Sequence, residues 1–132
     1  MTRASARLVP LRLRLTRPLA TATGEFLLRE SVILEFTADD GTTGVGEAAP
    51  WPGFGEETIA ASTAVLERAL PLLHGANLEP AQWPLDLVML LADAPAAHAA
   101  VEGALCDLAA RRAGQPLAAF LQAAAGVPAG GT

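Results

Sequence analysis

The chain has 132 residues, of which 52% are hydrophobic and 17% are charged, and its formal net charge is −5. This length and balance predict one globular domain without disorder, and the acidic charge argues against nucleic acid as a partner, because phosphates would be repelled. The single cysteine, Cys106, excludes an internal disulfide and a cysteine-based zinc site. All nine basic residues are arginines, so the chain contains no lysine.

The first predicted element is a strand from Arg7 to Leu15. Its apolar residues occupy every second position: Val9, Leu11, Leu13 and Leu15. This period is typical of a strand with one solvent-facing side, and Pro10 favours a position at the sheet edge. Because Pro10 and the arginines also interrupt the apolar run, we expect neither a signal peptide nor a membrane span, and a cytoplasmic protein.

Two further strands are predicted after an irregular stretch. The residues from Thr16 to Leu28 show no periodicity, and we interpret them as a mobile loop. Alternation resumes from Ser31 to Ala38, and Asp40-Gly41 is a hairpin-type dipeptide leading to a third strand from Thr42 to Ala49. These strands make an antiparallel β-meander that needs a covering layer on its apolar face.

The loop from Pro50 to Gly55 carries two prolines, two glycines and two large aromatic residues, Trp51 and Phe54. Prolines fix the backbone, so little entropy is lost when such a loop closes over a ligand. The loop therefore suits a pocket lid or a contact surface. The alternative is that both aromatic side chains plug the core beneath the loop.

Helical periodicity dominates the second half of the chain. Predicted helices run from Thr58 to Leu73, from Pro84 to Leu91, from Ala96 to Ala113 and from Gln115 to Leu121. Within the third, Asp107 and Arg111 have the spacing of an ion pair. The prediction is an α+β domain over residues 1–122, followed by a linker over residues 123–132.

No complete active site is visible in the residues alone. Cys106 lies inside a helix among apolar residues, which disfavours a cysteine hydrolase. Gly44-Val45-Gly46 begins like a dinucleotide fingerprint but is not followed by a helix at the required distance. We expect Glu47 and the Glu56-Glu57 pair to be turn and helix-start carboxylates, because hard cations need several converging oxygens. His74 suits the negative end of a helix dipole better than a metal.

Three motifs in order nevertheless resemble a known family. They are Arg29-Glu30-Ser31, then Asp40-Gly41 with Gly44-Val45-Gly46-Glu47, then Ala99-Ala100-Val101-Glu102-Gly103-Ala104-Leu105-Cys106-Asp107-Leu108 with Ala113-Gly114-Gln115-Pro116-Leu117. Together they resemble the N-terminal capping domain of the enolase superfamily, in its muconate lactonizing enzyme branch. The stretch from Gly46 to Thr58 is most similar to o-succinylbenzoate synthases. Cys106 departs from the pattern, since a large side chain is usual there.

The resemblance implies a capping domain that closes over a TIM-like barrel absent from this chain. Two segments would shape substrate specificity, Leu19 to Phe26 and Pro50 to Gly55. The implied substrate-contacting residues are Thr21, Ala22, Thr23, Gly24, Phe26, Trp51, Pro52, Gly53 and Phe54. No catalytic residue and no metal ligand is expected in this chain.

The implied parent reaction is magnesium-dependent: proton abstraction α to a carboxylate, an enediolate, then loss of water, as in the synthase of menaquinone biosynthesis. The acid/base lysines and the magnesium ligands would lie on the barrel, so this chain, as a fragment, would be inactive alone. Muconate cycloisomerase, dipeptide epimerase and N-acylamino acid racemase share the scaffold and stay open, as does a homo-oligomer. A stand-alone, non-catalytic binding domain is the alternative from another class.

Overall fold

The computed structural model describes residues 4–22, 24–74 and 83–126. Strands β1 (Ser5–Thr21), β2 (Gly24–Thr37) and β3 (Thr43–Ala48) form one antiparallel sheet in the order β1-β2-β3. Helices α1 (Ile59–Leu73), α2 (Leu85–Leu91), α3 (Pro95–Arg112) and α4 (Leu117–Ala124) follow. The predicted α+β architecture, a three-stranded meander followed by helices, is confirmed. None of the described helices is long and apolar enough to cross a membrane.

The core lies between one face of the sheet and the helices. Its largest fully buried side chains come from both layers: Val32, Leu34, Leu66, Leu73, Leu87, Leu91 and Val101. On β2 the buried positions alternate with half-buried ones, as the sequence predicted for this strand. Burial of this apolar surface is the main force that holds helices and sheet together.

The side of β1 that faces the core differs from the sequence prediction. Cross-strand partners share a face of the sheet, and Ala6 and Leu8 pair with the buried Phe36 and Leu34. The apolar positions of the predicted pattern therefore lie on the opposite face, where Leu13 is 53% exposed. Alternation identified the strand correctly but not the side that packs on the core, because Ala6 and Leu8 mark that side less strongly than four alternating apolar residues mark the other. The exposure of Pro10, Arg12 and Arg14 agrees with the predicted solvent-facing side.

The prediction of a mobile loop from Thr16 to Leu28 is wrong. β1 continues to Thr21 and β2 begins at Gly24, and the two strands pair to the tip after a register irregularity between Arg14 and Leu19. We call residues 16–21 and 24–28 the hairpin arm. Its side chains are half-buried or exposed. With neither face fully covered, selection for a buried face is weak and the sequence shows no alternation.

Helix α3 and strand β3 approach each other backbone to backbone. A Cβ added at Gly46 would lie on the carbonyl oxygen of Ala100, and one added at Gly44 would lie on that of Ala104. Gly103, an unusual residue for a helix interior, faces Gly46 across this contact, which we call the glycine seam. Only residues without a side chain permit this separation, so the seam fixes α3 on the sheet.

Polar contacts at the surface add to the seam. The backbone N–H of Val45, on the edge strand β3, donates to Oδ2 of Asp107 at 2.9 Å. Asp107 also accepts from Nε of Arg111 at 3.1 Å, which confirms the predicted pair. At the end of α3, Nε of Arg112 donates to Oδ2 of Asp40 at 3.1 Å, joining the helix to the β2–β3 turn.

The bounds of the helices lie within three residues of the predicted bounds. Thr58 caps α1, since its Oγ1 accepts from the N–H of Ala61 at 3.1 Å. Helix α4 runs to Ala124, two residues into the predicted linker. Residues 75–82, between α1 and α2, and residues 127–132 of the predicted linker lie outside the described residues.

Candidate substrate-specificity site

The loop after β3 is built on a Pro-Gly turn. The N–H of Phe54 donates to the carbonyl of Trp51 at 3.0 Å, and Gly53 has a φ of +78°. Proline second and a positive-φ glycine third are the requirements of a type II turn. Pro52 and Gly53 therefore hold the loop in a defined conformation with Trp51 at its start and Phe54 at its end.

Trp51 is the second residue of the loop, and its side chain packs against the hairpin arm. Its ring meets the ring of Phe26 edge to face, with centroids 5.2 Å apart and an interplanar angle of 60°. The guanidinium carbon of Arg29 lies 4.3 Å from the centroid of Trp51. Both geometries are favourable for aromatic and cation–π contacts. The two segments predicted to shape specificity thus meet at Phe26 and Trp51.

Phe54 does not plug the core. Its side chain is 78% exposed, whereas Trp51 is half-buried against Phe26 and Arg29. Burial of both aromatic residues beneath the loop was one of the two interpretations of the sequence, and it is wrong for Phe54. An exposed phenylalanine on a fixed turn leaves an apolar face available for contact.

The tip of the hairpin arm carries the other predicted residues. Oγ1 of Thr21 donates to the carbonyl of Gly24 at 3.0 Å, which closes the turn around Ala22. Gly24 has a φ of +142°, a conformation that glycine adopts without strain. Thr23 lies outside the described residues. The arm meets the loop at Phe26, through the ring contact with Trp51.

Glu57 anchors the far end of the loop. Its Oε1 accepts from the N–H of Ala96 at 2.7 Å, and its Oε2 accepts from the N–H of Ala97 at 3.1 Å and from Oγ of Ser62 at 2.6 Å. Ala94, the N-cap residue of α3, provides no side-chain cap. The carboxylate was predicted at the start of α1, where it lies and accepts from Ser62. It also caps α3, whose first N–H groups lack helical partners.

A separate groove of about 510 Å³ lies between α1 and the β1–β2 pair. None of the predicted specificity residues lines it. Its walls include Leu11, Val32 and Ile59, and the Arg12–Glu30 ion pair, with 4.0 Å between Nε and Oε1, stands beside them. The groove is open, and the two charged side chains at its strand side, Arg12 and Glu30, pair with each other.

Comparison with known proteins places this geometry in a family. Residues 3–121 match the model described as mandelate racemase / muconate lactonizing enzyme, N-terminal domain. The chain belongs to this family. The enolase-superfamily resemblance drawn from the three motifs is thereby confirmed, and so is the identification of the chain as its N-terminal capping domain.

Epimerases and o-succinylbenzoate synthases are both found among the relatives of this mandelate racemase/muconate lactonizing enzyme domain. The chain is 39% identical over 111 residues to an L-Lys-D/L-Arg epimerase of Desulforapulum autotrophicum, covering 83% of this chain and 31% of that protein. It is 36% identical over 111 residues to an o-succinylbenzoate synthase of Geobacillus kaustophilus, covering 81% and 29%. The chain thus spans about a third of the length of these curated relatives.

A solved structure agrees with the fold. A dipeptide epimerase from Methylococcus capsulatus, complexed with Mg and the dipeptide L-Arg-D-Lys, has a TM-score of 0.81 and 32% identity. The match covers 92% of this chain and 35% of that one. The three-stranded sheet and the helices of this domain are therefore those of the family.

Magnesium does not fit the part of the domain that the structure describes. Within residues 4–22, 24–74 and 83–126, no group of three histidine, cysteine, aspartate or glutamate side chains converges as a metal site would. Glu47 accepts from Oγ of Ser31 at 2.8 Å, and Glu57 is occupied by α3 and Ser62. Since Mg²⁺ requires an octahedral set of oxygens, no step of chemistry is routed through this ion here.

Sequence reasoning overlooked two residues of this site. Arg29 entered only as part of a family motif, and its contact with Trp51 joins residues 22 positions apart. Glu57 was assigned only to the start of α1, and the N–H groups of α3 that it also binds are 39 and 40 positions away. The available signal was an arginine on a strand before an aromatic loop, together with a helix whose N-cap residue, Ala94, cannot cap.

Proposed function

We propose that this domain forms the substrate-facing cap of a magnesium-dependent enzyme of the mandelate racemase/muconate lactonizing enzyme family, with o-succinylbenzoate synthase as the first candidate. The observation that carries this proposal is the contact between Phe26 and Trp51. It joins the two segments that the family resemblance assigns to specificity, and Phe54 stands exposed on the same loop. Identity to o-succinylbenzoate synthases from Geobacillus species supports it.

In this proposal the chain binds and encloses the substrate while the reacting groups lie elsewhere. The chain has no lysine to act as an acid or base, and its carboxylates at Glu47 and Glu57 are engaged in structural hydrogen bonds. Phe26, Trp51 and Phe54 would exclude water and contact the apolar part of a small carboxylate substrate. Enclosure of this kind strengthens the electrostatic interactions that stabilise an enediolate.

Dipeptide epimerisation is the second candidate, and a specific observation favours it. The structure with a TM-score of 0.81 is a dipeptide epimerase in complex with Mg and a dipeptide, and the relative at 39% identity is an epimerase. Both reactions begin with proton abstraction next to a carboxyl carbon, so the same cap would serve either. The side chains at Phe26, Trp51 and Phe54 are apolar, which suits a substrate with an apolar side chain.

The test is an assay of the full-length gene product that contains this domain, with Mg²⁺ and in heavy water. An o-succinylbenzoate synthase releases the dehydrated aromatic product, whereas an epimerase incorporates deuterium at the α carbon of dipeptides such as L-Leu-L-Tyr. We expect the first result, and the second would select the second candidate. A chelator and the 132-residue chain alone are the controls, and both should be inactive.

Two outcomes would contradict the proposal. Turnover by the 132-residue chain alone would place the chemistry in the cap. No turnover by the full-length protein on either substrate class would favour the stand-alone binding domain, whose exposed Phe54 would then contact a protein partner.

A further inference from the structure

We infer that Arg29 is a positioning residue that couples the hairpin arm to the loop from Pro50 to Gly55, which we call the Trp51 loop. Through this coupling the two segments form one continuous surface that faces the substrate. The inference deepens the proposed function and rests on it. Arg29 lies on β2, three residues after Phe26, and contacts the loop in two ways: its guanidinium faces the Trp51 ring, and its Nη2 donates to the carbonyl of Ala49 at 3.3 Å.

The two contacts fix different parts of the loop. The bond to Ala49 holds the backbone where β3 ends and the loop begins, since β3 ends at Ala48. The cation–π contact sets the tilt of the Trp51 ring, whose centroid lies 5.2 Å from that of the Phe26 ring. Phe26 belongs to the arm and Trp51 to the loop, so a change in either segment is transmitted to the other through this cluster.

Arginine suits this role better than lysine. A guanidinium is planar and delocalised, so it can stack on an indole ring while its N–H groups donate in the plane of the group. An ammonium is a compact and strongly hydrated charge that cannot make both contacts with the same geometry. The half-burial of Arg29 removes competing water from the contact. We therefore expect Arg29→Lys to restore the charge without restoring the function.

The inference predicts when a substitution in the hairpin arm changes substrate choice. If the arm and the loop form one continuous surface, a substitution in the arm alters substrate choice only while Arg29 holds the loop against it. Phe26→Leu should then change the ratio of kcat/KM between a large and a small substrate, and the same change should have little effect in an Arg29→Gln background. Coupling of this kind is measured by a double-mutant cycle.

The first measurement needs no substrate. The full-length protein is labelled with fluorotryptophan, and the fluorine resonance that disappears in Trp51→Phe is assigned to Trp51. Arg29→Gln and Arg29→Lys should both shift and broaden this resonance, because the ring loses its partner. Arg14→Gln, which removes an exposed arginine from the partner strand of the same hairpin, is the matched control and should leave the resonance unchanged.

The second measurement is steady-state kinetics on the substrate class identified by the heavy-water assay. Arg29→Gln should raise KM by about tenfold with kcat within about twofold, because a cation–π contact of this kind contributes on the order of a tenfold change in equilibrium. Arg29→Lys should match Arg29→Gln. Arg14→Gln should match the unaltered protein.

Three results would overturn the inference. Slower turnover with an unchanged Trp51 resonance and additive effects of Phe26→Leu and Arg29→Gln would mean that Arg29 contacts the substrate directly. A shifted resonance and a lower thermal midpoint with unchanged kinetics would mean that the contact only supports the fold. Absence of turnover in the unaltered protein would remove the proposed function and with it the specificity role, and the fluorine measurement would then report only a loop contact.

Discussion

Glycines serve different ends in two regions of the domain. In the glycine seam, Gly44 and Gly46 have no side chain so that the backbone of α3 can lie against β3. In the Trp51 loop, Gly53 and Gly55 supply positive φ angles of +78° and +87° that other residues rarely adopt. The seam requires glycine because it has no room for a side chain, whereas the loop requires glycine for its backbone conformation. Side chains in the loop, such as the exposed Phe54, are therefore freer to vary than Gly44 and Gly46.

The largest effect is expected at the seam. Gly46→Ala should lower the free energy of unfolding by about 3 kcal/mol or more, because the new methyl group would overlap backbone atoms that cannot move aside. Gly103→Ala, on the facing side, is the control. Its Cβ would lie 3.7 Å from the Cα of Gly46, an ordinary contact, and alanine favours a helix by up to about 1 kcal/mol. Urea denaturation followed by circular dichroism measures the free energy of unfolding of both variants. Equal losses of stability would show that the backbones at the seam can move apart to accept a methyl group.

The next prediction tests whether Glu57 holds the end of the loop against the start of α3. Glu57→Ala should cost about 2 kcal/mol, since hydrogen bonds to a charged group contribute roughly 1.5–3 kcal/mol each and water replaces part of them. Amide hydrogen exchange should accelerate at Ala96 and Ala97. The neighbouring Glu56 is exposed, so Glu56→Gln should change stability by less than about 0.5 kcal/mol. Similar losses for both variants would contradict the assignment of Glu57 as the cap of α3.

Substitution of Phe54 should lower activity without lowering stability. Because its side chain is 78% exposed, Phe54→Ala should change the free energy of unfolding by less than about 0.5 kcal/mol. In the full-length enzyme it should lower kcat/KM by about tenfold, equal to ~1.4 kcal/mol, through loss of an apolar contact with the substrate. Phe36→Ala is the opposite case, since Phe36 is 3% exposed, and should cost about 3–5 kcal/mol of stability. Unchanged kinetics in Phe54→Ala would remove Phe54 from the specificity site.

The smallest effect concerns Cys106, which lies in α3 near the seam. Burial, and after it the charge of Glu102, raises the pKa of the thiol above its ordinary value. A raised pKa leaves less thiolate at a given pH, so iodoacetamide should label Cys106 more slowly than a free thiol at pH 8. Glu102→Gln should speed labelling modestly. A group with a raised folded-state pKa loses its stabilising contribution as pH rises through that value, so stability should fall slightly in alkali. Labelling as fast as in the unfolded chain would contradict the direction of the shift.

These expectations show where sequence reasoning succeeded. Helical spacing is a local signal, and it predicted both bounds of α1 and α3 within one residue. Alternation predicted the end of β2 within one residue, although this strand begins at Gly24 and not at Ser31. The order of these elements, with the motifs around Gly46 and Asp107, was sufficient to indicate the family. Local patterns suffice when the buried face of an element is continuous.

The failures have a different physical origin. The hairpin arm has no fully buried face, so its strands left no alternation in the sequence between Thr16 and Leu28. The interactions of Arg29 and Glu57 join residues distant in the chain, and a pattern confined to a short window cannot contain them. The candidate specificity residues were named through the family resemblance, and periodicity alone would have left two interpretations of Trp51 and Phe54, as lid residues or as core residues.

The hydrogen bond from Val45 to Asp107 bears on how the protein behaves before it is fully assembled. An open sheet edge is a template on which strands of other chains can add, which leads to aggregates. Asp107 occupies a donor on that edge at 2.9 Å and places a negative charge beside it. Docking of α3 brings the carboxylate to this edge, so during refolding we expect intramolecular docking of α3 to compete with intermolecular strand addition.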